Sequence, residues 1–162
     1  EIAQCLVGSE MCIRDSPERI YPVGRLDKDS EGLILMTNDG AMMDRILRSA
    51  NGHEKEYIVR VNKPVTDEFV KGMSDGVYLK ELDRTTKVCV VEKVTKFCFR
   101  IVLTQGLNRQ IRRMCENFGY KVMKLKRIRI MNIMLGDLKQ GCYRDVTDEE
   151  YAELVRQLDN RN

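Results

Sequence analysis

The sequence predicts an α+β protein with a largely antiparallel, mixed sheet and flanking helices. Strand patterns outnumber helical patterns, the two do not alternate as regular β-α-β units, and the two strongest strand patterns are separated by a short turn. Hydrophobic residues make up 43% of the 162 residues, which is enough for one core in one domain. Because no run approaches eighteen apolar residues, the sequence predicts no membrane span.

The first half of the chain predicts three strands and two helices. The strands are expected at residues 20–23, 33–37 and 57–61. After the turn Asn38-Asp39-Gly40, apolar residues at helical spacing predict a helix over residues 42–47. A second helix is predicted over residues 64–72, because Asp67 and Glu68 lie where acidic side chains stabilise a first helical turn.

The second half predicts a hairpin, a basic strand and two further helices. Residues 87–94 and 97–104 have strong strand patterns and form the hairpin. Apolar residues at i, i+3, i+4 and i+7 predict an amphipathic helix over residues 108–118, and Gly119 follows where a helix C-terminal glycine belongs. Residues 121–133 alternate basic and apolar side chains, and the capping box at residues 147–150 begins the last helix.

Residues 1–16 differ in character from the rest of the chain. They have neither clear helical nor clear strand periodicity, and residues 10–16 resemble a translated adapter sequence from library preparation. We therefore interpret residues 1–16 as a foreign segment and residues 17–162 as the folded domain. An ordinary variable N-terminus is the alternative interpretation.

The six cysteines and the single histidine predict no metal site. No cysteines form a C-x-x-C pair, and a zinc site needs about four closely spaced ligands. The chain is large enough to need no disulfides, so its cysteines are expected to be reduced, as in the cytoplasm. Cys115 lies on the apolar face of its predicted helix and is expected in the core, whereas His53 is expected at the surface or in a turn.

Charge is strongly segregated along the chain, although the net charge is only +3. Residues 107–130 contain eight basic residues and one acidic residue, whereas residues 145–162 contain six acidic residues and two basic ones. A cationic strip of this kind attracts phosphates, which favours binding to RNA or DNA. A solvated charged face is the alternative, and charge alone does not separate the two.

Asp27 is the first candidate for chemistry. It lies between Arg25 and Lys28 in a polar loop bracketed by Gly24 and Gly32, and flanking cations favour an ionised carboxylate that can act as nucleophile or base. An aspartate in a turn is more often structural, so this pattern alone leaves both interpretations open.

Three segments resemble the signature blocks of the RsuA/RluB/E/F family of pseudouridine synthases. They occur in the family's order, at residues 24–40 (GRLDKDSEGLILMTNDG), 53–61 (HEKEYIVRV) and 103–130 (LTQGLNRQIRRMCENFGYKVMKLKRIRI). The resemblance continues to about Leu158 and is greatest with the F-type subgroup, which acts on the large ribosomal subunit. Leu107 stands where many members have arginine, a departure that fits this subgroup and removes one possible phosphate contact.

The resemblance implies a pseudouridine synthase catalytic fold and a set of site residues. Asp27 matches the essential aspartate, and Tyr57 matches an active-site tyrosine that stacks on the target base and is a candidate for deprotonating its C5 atom. Arg112 matches the arginine that pairs with the aspartate. The residues that match RNA-contacting positions are Arg25, Leu26, Lys28, Leu107, Asn108, Arg109 and Gln110.

The resemblance also implies a reaction and a partner. The expected activity is isomerisation of a uridine of 23S rRNA to pseudouridine, after the base is flipped out of the RNA helix. We expect a monomeric enzyme in the bacterial cytoplasm, with no metal or organic cofactor and no membrane partner. Two alternatives stay open. One is an inactive RNA-binding fragment that lacks early strands and an N-terminal S4-like RNA-binding domain, and the other is a family member that acts on tRNA.

Overall fold

The computed structural model describes residues 2–6, 19–48 and 52–160, with backbone alone for residues 2–6. The strands are β1 Ile2–Leu6, β2 Tyr21–Val23, β3 Glu31–Thr37, β4 Lys55–Val61, β5 Tyr78–Leu79, β6 Arg84–Thr85, β7 Val90–Thr95, β8 Cys98–Leu103, β9 Val122–Ile130, β10 Ile133–Met134 and β11 Tyr143–Asp145. The helices are α1 Gly40–Leu47, α2 Asp67–Ser74, α3 Gln110–Asn117 and α4 Asp148–Asp159, and Lys80–Leu82 form one 3₁₀ turn.

One large mixed sheet organises the described residues. Its order is β11-β1-β3-β9-β4-β8-β7, with β2 paired to β3 and β10 paired to β9, while β5 and β6 pair separately. Every pair is antiparallel except β3 with β9, which run parallel at Glu31–Gly32 opposite Lys126–Arg127. The predicted α+β class with a mixed, mostly antiparallel sheet is confirmed.

Local sequence signals explain where the helices begin and end. Asp39 and Thr66 accept hydrogen bonds from the backbone N–H groups of Met42 and Phe69, at 3.0 and 3.1 Å, and so cap α1 and α2. The predicted capping box of α4 is present, with reciprocal hydrogen bonds between Thr147 and Glu150. Gly119 follows α3 with φ +73°, a conformation that glycine adopts without steric penalty.

Three hydrophobic clusters form among the described residues, and two of them are large. In the first, α2 and α3 pack on β4, β8 and β9 around Phe99 and Met114, both 0% exposed. In the second, α1 and α4 pack with β3 and the end of β9 around Leu33 and Leu154. An ion pair of 2.5 Å between Arg45 and Asp159 also joins α1 to α4.

Some details differ from the sequence-based expectations. Ile2–Leu6 form a strand between β3 and β11, although no strand periodicity is evident there. Residues 7–16 lie outside the described residues, and the interpretation of residues 1–16 as foreign stays a prediction.

The expectation for His53 is wrong, because its side chain is 2% exposed and its Nε2 lies 3.0 Å from the carbonyl oxygen of Arg45 near the end of α1. Carbonyls in the last turn of a helix lack helical partners, which gives a buried imidazole a role there.

No helix in the part of the chain that the structure describes is long and apolar enough to cross a membrane. Within those same residues, no three side chains of histidine, cysteine, aspartate or glutamate form a group that could hold a metal ion.

The described cysteines are free thiols of very different accessibility, which predicts selective labelling. Burial raises the pKa of Cys115 to about 12, whereas Cys142 is exposed. Because the thiolate is the reactive form, N-ethylmaleimide at pH 8 should modify Cys142 at least about 100-fold faster than Cys115. Peptide mass analysis of a labelling time course measures both rates. Equal labelling of the two cysteines in the folded protein would contradict the packing of α3.

Candidate active site

A cleft of about 530 Å³ opens on one face of the sheet, where five segments converge. They are the loop between β2 and β3, the end of α1, the start of β4, the turn that leads from β8 into α3, and the second half of β9. Its lining combines apolar side chains with a preponderance of cations. Five basic side chains, Arg25, Lys55, Arg109, Arg112 and Arg127, line it against two carboxylates, Asp27 and Glu31.

The loop that carries Asp27 is held by contacts at the aspartate's own carbonyl and at the residues that follow it. The backbone N–H of Ser30 donates to the carbonyl oxygen of Asp27 at 2.9 Å, which closes a tight turn. The Asp29 carboxylate lies 3.8 Å from Arg109, and the Glu31 carboxylate lies 3.0 Å from Lys124. The half-buried Asp27 side chain is therefore presented to the cleft by a braced loop.

Tyr57 reaches the cleft because of its register in the sheet. It lies opposite Ile101 on β8 and Arg127 on β9, and directly opposed residues of antiparallel strands share one face. Tyr57 is half-buried and lines the cleft together with Leu103, Ile111, Leu125 and Ile130. An aromatic ring among apolar side chains is a suitable wall for a flat base.

The turn before α3 forms another side of the cleft. Arg109 has φ +49°, a left-handed conformation that is uncommon for residues other than glycine and recurs at functional sites. The Gln110 amide oxygen accepts a hydrogen bond from the backbone N–H of Leu107 at 3.1 Å, and Gln110 is 4% exposed. Gln110 therefore holds the turn, while Asn108 and Arg109 are exposed to solvent.

Arg112 links α3 to the loop that carries Asp27. It is 8% exposed, and its Nη2 donates to the carbonyl oxygen of Asp29 at 2.6 Å and contacts Ser30 Oγ at 3.4 Å. Asp27 itself forms no ion pair within the described part of the chain, with Arg112 or with any other cation. In this structure Arg112 therefore fixes the backbone of the loop and is not paired with the Asp27 carboxylate.

The structure brings nine of the ten candidate residues to one cleft, although they come from three distant parts of the chain. The nine are Arg25, Leu26, Asp27, Tyr57, Leu107, Asn108, Arg109, Gln110 and Arg112. Lys28 is exposed on the same loop and is outside the lining.

Lys55 and Arg127 line the cleft as well, and sequence reasoning did not single them out. Lys55 precedes Tyr57 by two residues and so projects from the same face of β4. Burial, with a smaller contribution from the charge of Arg127, lowers the pKa of Lys55. The lysine position follows from strand alternation, whereas the arginine position depends on an irregularity in β9.

That irregularity is a β-bulge at Ile128. Glu56 lies opposite Arg129 and Tyr57 lies opposite Arg127, so β9 has one residue more than β4 in this interval. The extra residue turns Arg127 toward the cleft and Arg129 toward the other face of the sheet. Without it, two arginines separated by one residue would share a face.

On that other face, Glu56 accepts hydrogen bonds from Arg100 at 2.5 Å and from Arg129 at 2.6 Å. Burial of Glu56 opposes its ionisation, but the hydrogen bonds and charges of the two arginines outweigh burial and lower its pKa. The network joins β4, β8 and β9 directly behind the cleft, and so keeps Lys55 and Tyr57 in register.

Comparisons with known proteins show which family the chain is similar to. A family model described as RNA pseudouridylate synthase matches residues 13–117. The dual-specificity RNA pseudouridine synthase RluF of Escherichia coli (strain K12) is 55% identical over 143 residues, which are 88% of this chain and 49% of that protein. Ribosomal small subunit pseudouridine synthase A of the same organism is 38% identical over 138 residues, 85% of this chain and 60% of that protein.

A solved structure extends the agreement to the fold. The crystal structure of a pseudouridylate synthase has a TM-score of 0.87 and 27% sequence identity, and the match covers 95% of this chain and 73% of that one. The chain thus spans about half to three fifths of the length of these two curated relatives. The family resemblance of the three sequence blocks is confirmed, and the chain belongs to the RNA pseudouridylate synthase family.

Proposed function

We propose that this chain is an RNA pseudouridine synthase that isomerises a uridine of ribosomal RNA. The observation that carries the proposal is the single cleft that brings Asp27, Tyr57 and Arg112 together, from positions far apart in the sequence. In this reaction the bond between ribose C1′ and uracil N1 breaks, the base turns, and a bond forms between C1′ and C5. The proton on C5 is then lost, and N1 takes up a proton, so that the reaction is an isomerisation.

Each of the three residues has a role that its position supports. Asp27 is the essential carboxylate, and it acts on the ribose or the base from a braced loop with no described protein cation bound to it. Tyr57 stacks on the uracil and lies on the face where a base could lose its C5 proton. Arg112 is a positioning residue, because it holds the backbone at Asp29 and Ser30.

The exposed cations at the rim of the cleft suit the RNA backbone. Arg25 and Arg109 line the rim, and Lys28 lies beside it on the loop of Asp27. A base inside an RNA helix is inaccessible, so the target uridine must be flipped out, and cations near the mouth then hold its phosphates. The expected result is binding that weakens steeply as salt concentration rises.

The substrate is proposed to be a uridine of 23S rRNA, and the enzyme is proposed to act as a monomer in the cytoplasm. The similarity to RluF supports the first statement, because that protein is F-type. RluF is also described as dual-specificity, which makes tRNA the substrate to compare. An RNA-binding protein without catalytic activity is the alternative function.

Release of tritium from RNA labelled at uridine C5 tests the proposal, because the C5 hydrogen is lost in the reaction. The chain should release tritium from 23S rRNA, with 16S rRNA and tRNA as parallel substrates. Release from one RNA identifies the substrate class, and mapping of the product then identifies the nucleotide. Binding to all three RNAs without release from any of them would favour the RNA-binding alternative.

A further inference from the structure

Two cations form the floor of the cleft, and the proposed roles do not use them. Lys55 lies next to Tyr57 on the cleft face of β4, and Arg127 lies opposite Tyr57 on β9. Their side chains come from neighbouring strands, and the charge of Arg127 contributes to lowering the pKa of Lys55. They therefore act together on whatever enters the cleft.

Neither cation is neutralised by the described part of the protein. Arg127 is 4% exposed, its Nε donates to the carbonyl oxygen of Leu33 at 2.7 Å, and its Nη2 is buried with no acceptor. The Lys55 side chain has no hydrogen bond or ion pair within residues 19–48 and 52–160. Of the two carboxylates that line the cleft, Glu31 is paired with Lys124, and Asp27 lies more than 4.0 Å from every described cation. Buried donors without acceptors are unfavourable, so an incoming acceptor would be strongly bound.

The walls of the cleft indicate which part of a nucleotide reaches this floor. Leu103, Ile111, Leu125 and Ile130 are buried apolar side chains, and together with Tyr57 they suit a flat base. The exposed arginines, by contrast, lie at the rim. A phosphate therefore stays at the mouth of the cleft, and the edge of the base faces Lys55 and Arg127.

We propose that Lys55 and Arg127 bind the carbonyl oxygens of uracil and exclude cytosine. The inference rests on the proposed function, whose substrate base it assigns to a specific pair of residues. Lysine and arginine side chains only donate hydrogen bonds. Uracil offers acceptors at O2 and O4, whereas cytosine has an amino group at C4 that would place donor against donor.

The same pair assists the reaction itself. When the C1′–N1 bond breaks, its electron pair stays with the uracil, and the negative charge spreads onto O2 and O4. If instead the aspartate adds to C6, the charge again resides on O4 until the adduct collapses. Cations fixed at the floor stabilise the charge in both routes. The charge is neutralised when the C1′–C5 bond forms, and the C5 proton is then lost while N1 takes up a proton.

Equilibrium binding tests the inference without requiring turnover. The probes are fluorescent ten-residue oligouridylate and oligocytidylate, measured by anisotropy with the parent, Arg127→Gln and Lys55→Gln. Glutamine can accept a hydrogen bond from the cytosine amino group. The parent should prefer oligouridylate by about 10-fold or more, and either variant should reduce this ratio to about 2-fold or less.

Arg60→Gln is the matched control, because Arg60 is exposed on the opposite face of β4 and the change removes the same charge. It should weaken binding of both oligonucleotides and leave their ratio unchanged. A parent without base preference, or folded variants that keep the parent's ratio, would overturn the inference. Lys55→Gln keeps the test valid if Arg127→Gln does not fold, since the Lys55 side chain has no hydrogen bond to other described residues.

Turnover gives a second readout that a merely structural role would not produce. With the tritium-release substrate, Arg127→Gln and Lys55→Gln should lower kcat by about 100-fold or more and change KM much less, because the charge on the base develops in the transition state. Arg127→Lys keeps a side chain that only donates hydrogen bonds, so its kcat should lie between those of the parent and Arg127→Gln. Absence of release by the parent would overturn the proposed function, while the binding ratio would still decide the role of the floor.

Discussion

Asp27→Asn should reduce turnover by at least about 1,000-fold and leave the protein folded. Asparagine has nearly the same shape as aspartate but is neither an effective nucleophile nor a base, and loss of such a group removes the chemical step itself. Because Asp27 is half-buried and has no ion pair among the described residues, the free energy of unfolding should change by less than about 0.5 kcal/mol. Tritium release and urea unfolding followed by circular dichroism measure the two effects.

Asp29→Asn is the matched control for this change. It alters the same charge in the same loop, two residues away, and among the described residues its side chain has only a 3.8 Å contact with the exposed Arg109. The backbone carbonyl that Arg112 holds is unaffected by the substitution. Turnover within a few-fold of the parent is expected for Asp29→Asn. Turnover by Asp27→Asn above one tenth of the parent's rate would contradict the assignment of Asp27.

Gly32→Ala should produce the largest loss of stability, roughly 2–6 kcal/mol, by combining backbone strain with steric overlap. A Cβ atom at Gly32 would lie 2.2 Å from the carbonyl oxygen of Arg127 and 2.5 Å from its nitrogen, and both atoms belong to the backbone of β9. Gly32 also has φ +118°, which L-residues rarely adopt. Neither strand can give way without breaking the parallel pair between β3 and β9.

Urea unfolding measures this loss, and Gly40→Ala is the control. Gly40 begins α1 without a positive φ, and no neighbouring atom lies within 4 Å of the place where a Cβ would stand. Alanine there should therefore be neutral or stabilising by up to about 1 kcal/mol. If Gly32→Ala unfolded within about 0.5 kcal/mol of the parent, the close approach of β3 to β9 would be wrong.

Local patterns predicted the elements whose signals are local. The alternation at residues 57–61, the continuous apolar run at residues 33–37 and the capping box at Thr147 each report a neighbourhood of a few residues, and the structure has those elements. The family resemblance identified the cleft residues, because Asp27, Tyr57 and Arg112 lie within recognisable blocks.

The positions that sequence reasoning missed depend on distant pairing. Arg127 faces the cleft because a bulge at Ile128 shifts the register against β4, and no pattern within β9 shows which face is buried. Gly32 is needed because β3 lies against a strand far along the chain. His53 is buried because it contacts the end of α1, and a lone histidine carries no sign of such a partner.

Two long-range hydrogen bonds around the cleft also determine when the cleft can form during synthesis. The hydrogen bond from Arg112 to Asp29 spans 83 residues, and that from Arg127 to Leu33 spans 94. Closing such long loops lowers the chain entropy before the new contacts offset that loss. Local hairpins and helices therefore form first. During synthesis Asp27 and Tyr57 emerge well before β9 exists to complete the cleft. The cleft therefore stays incomplete on a nascent chain until β9, which ends at Ile130, has left the ribosome.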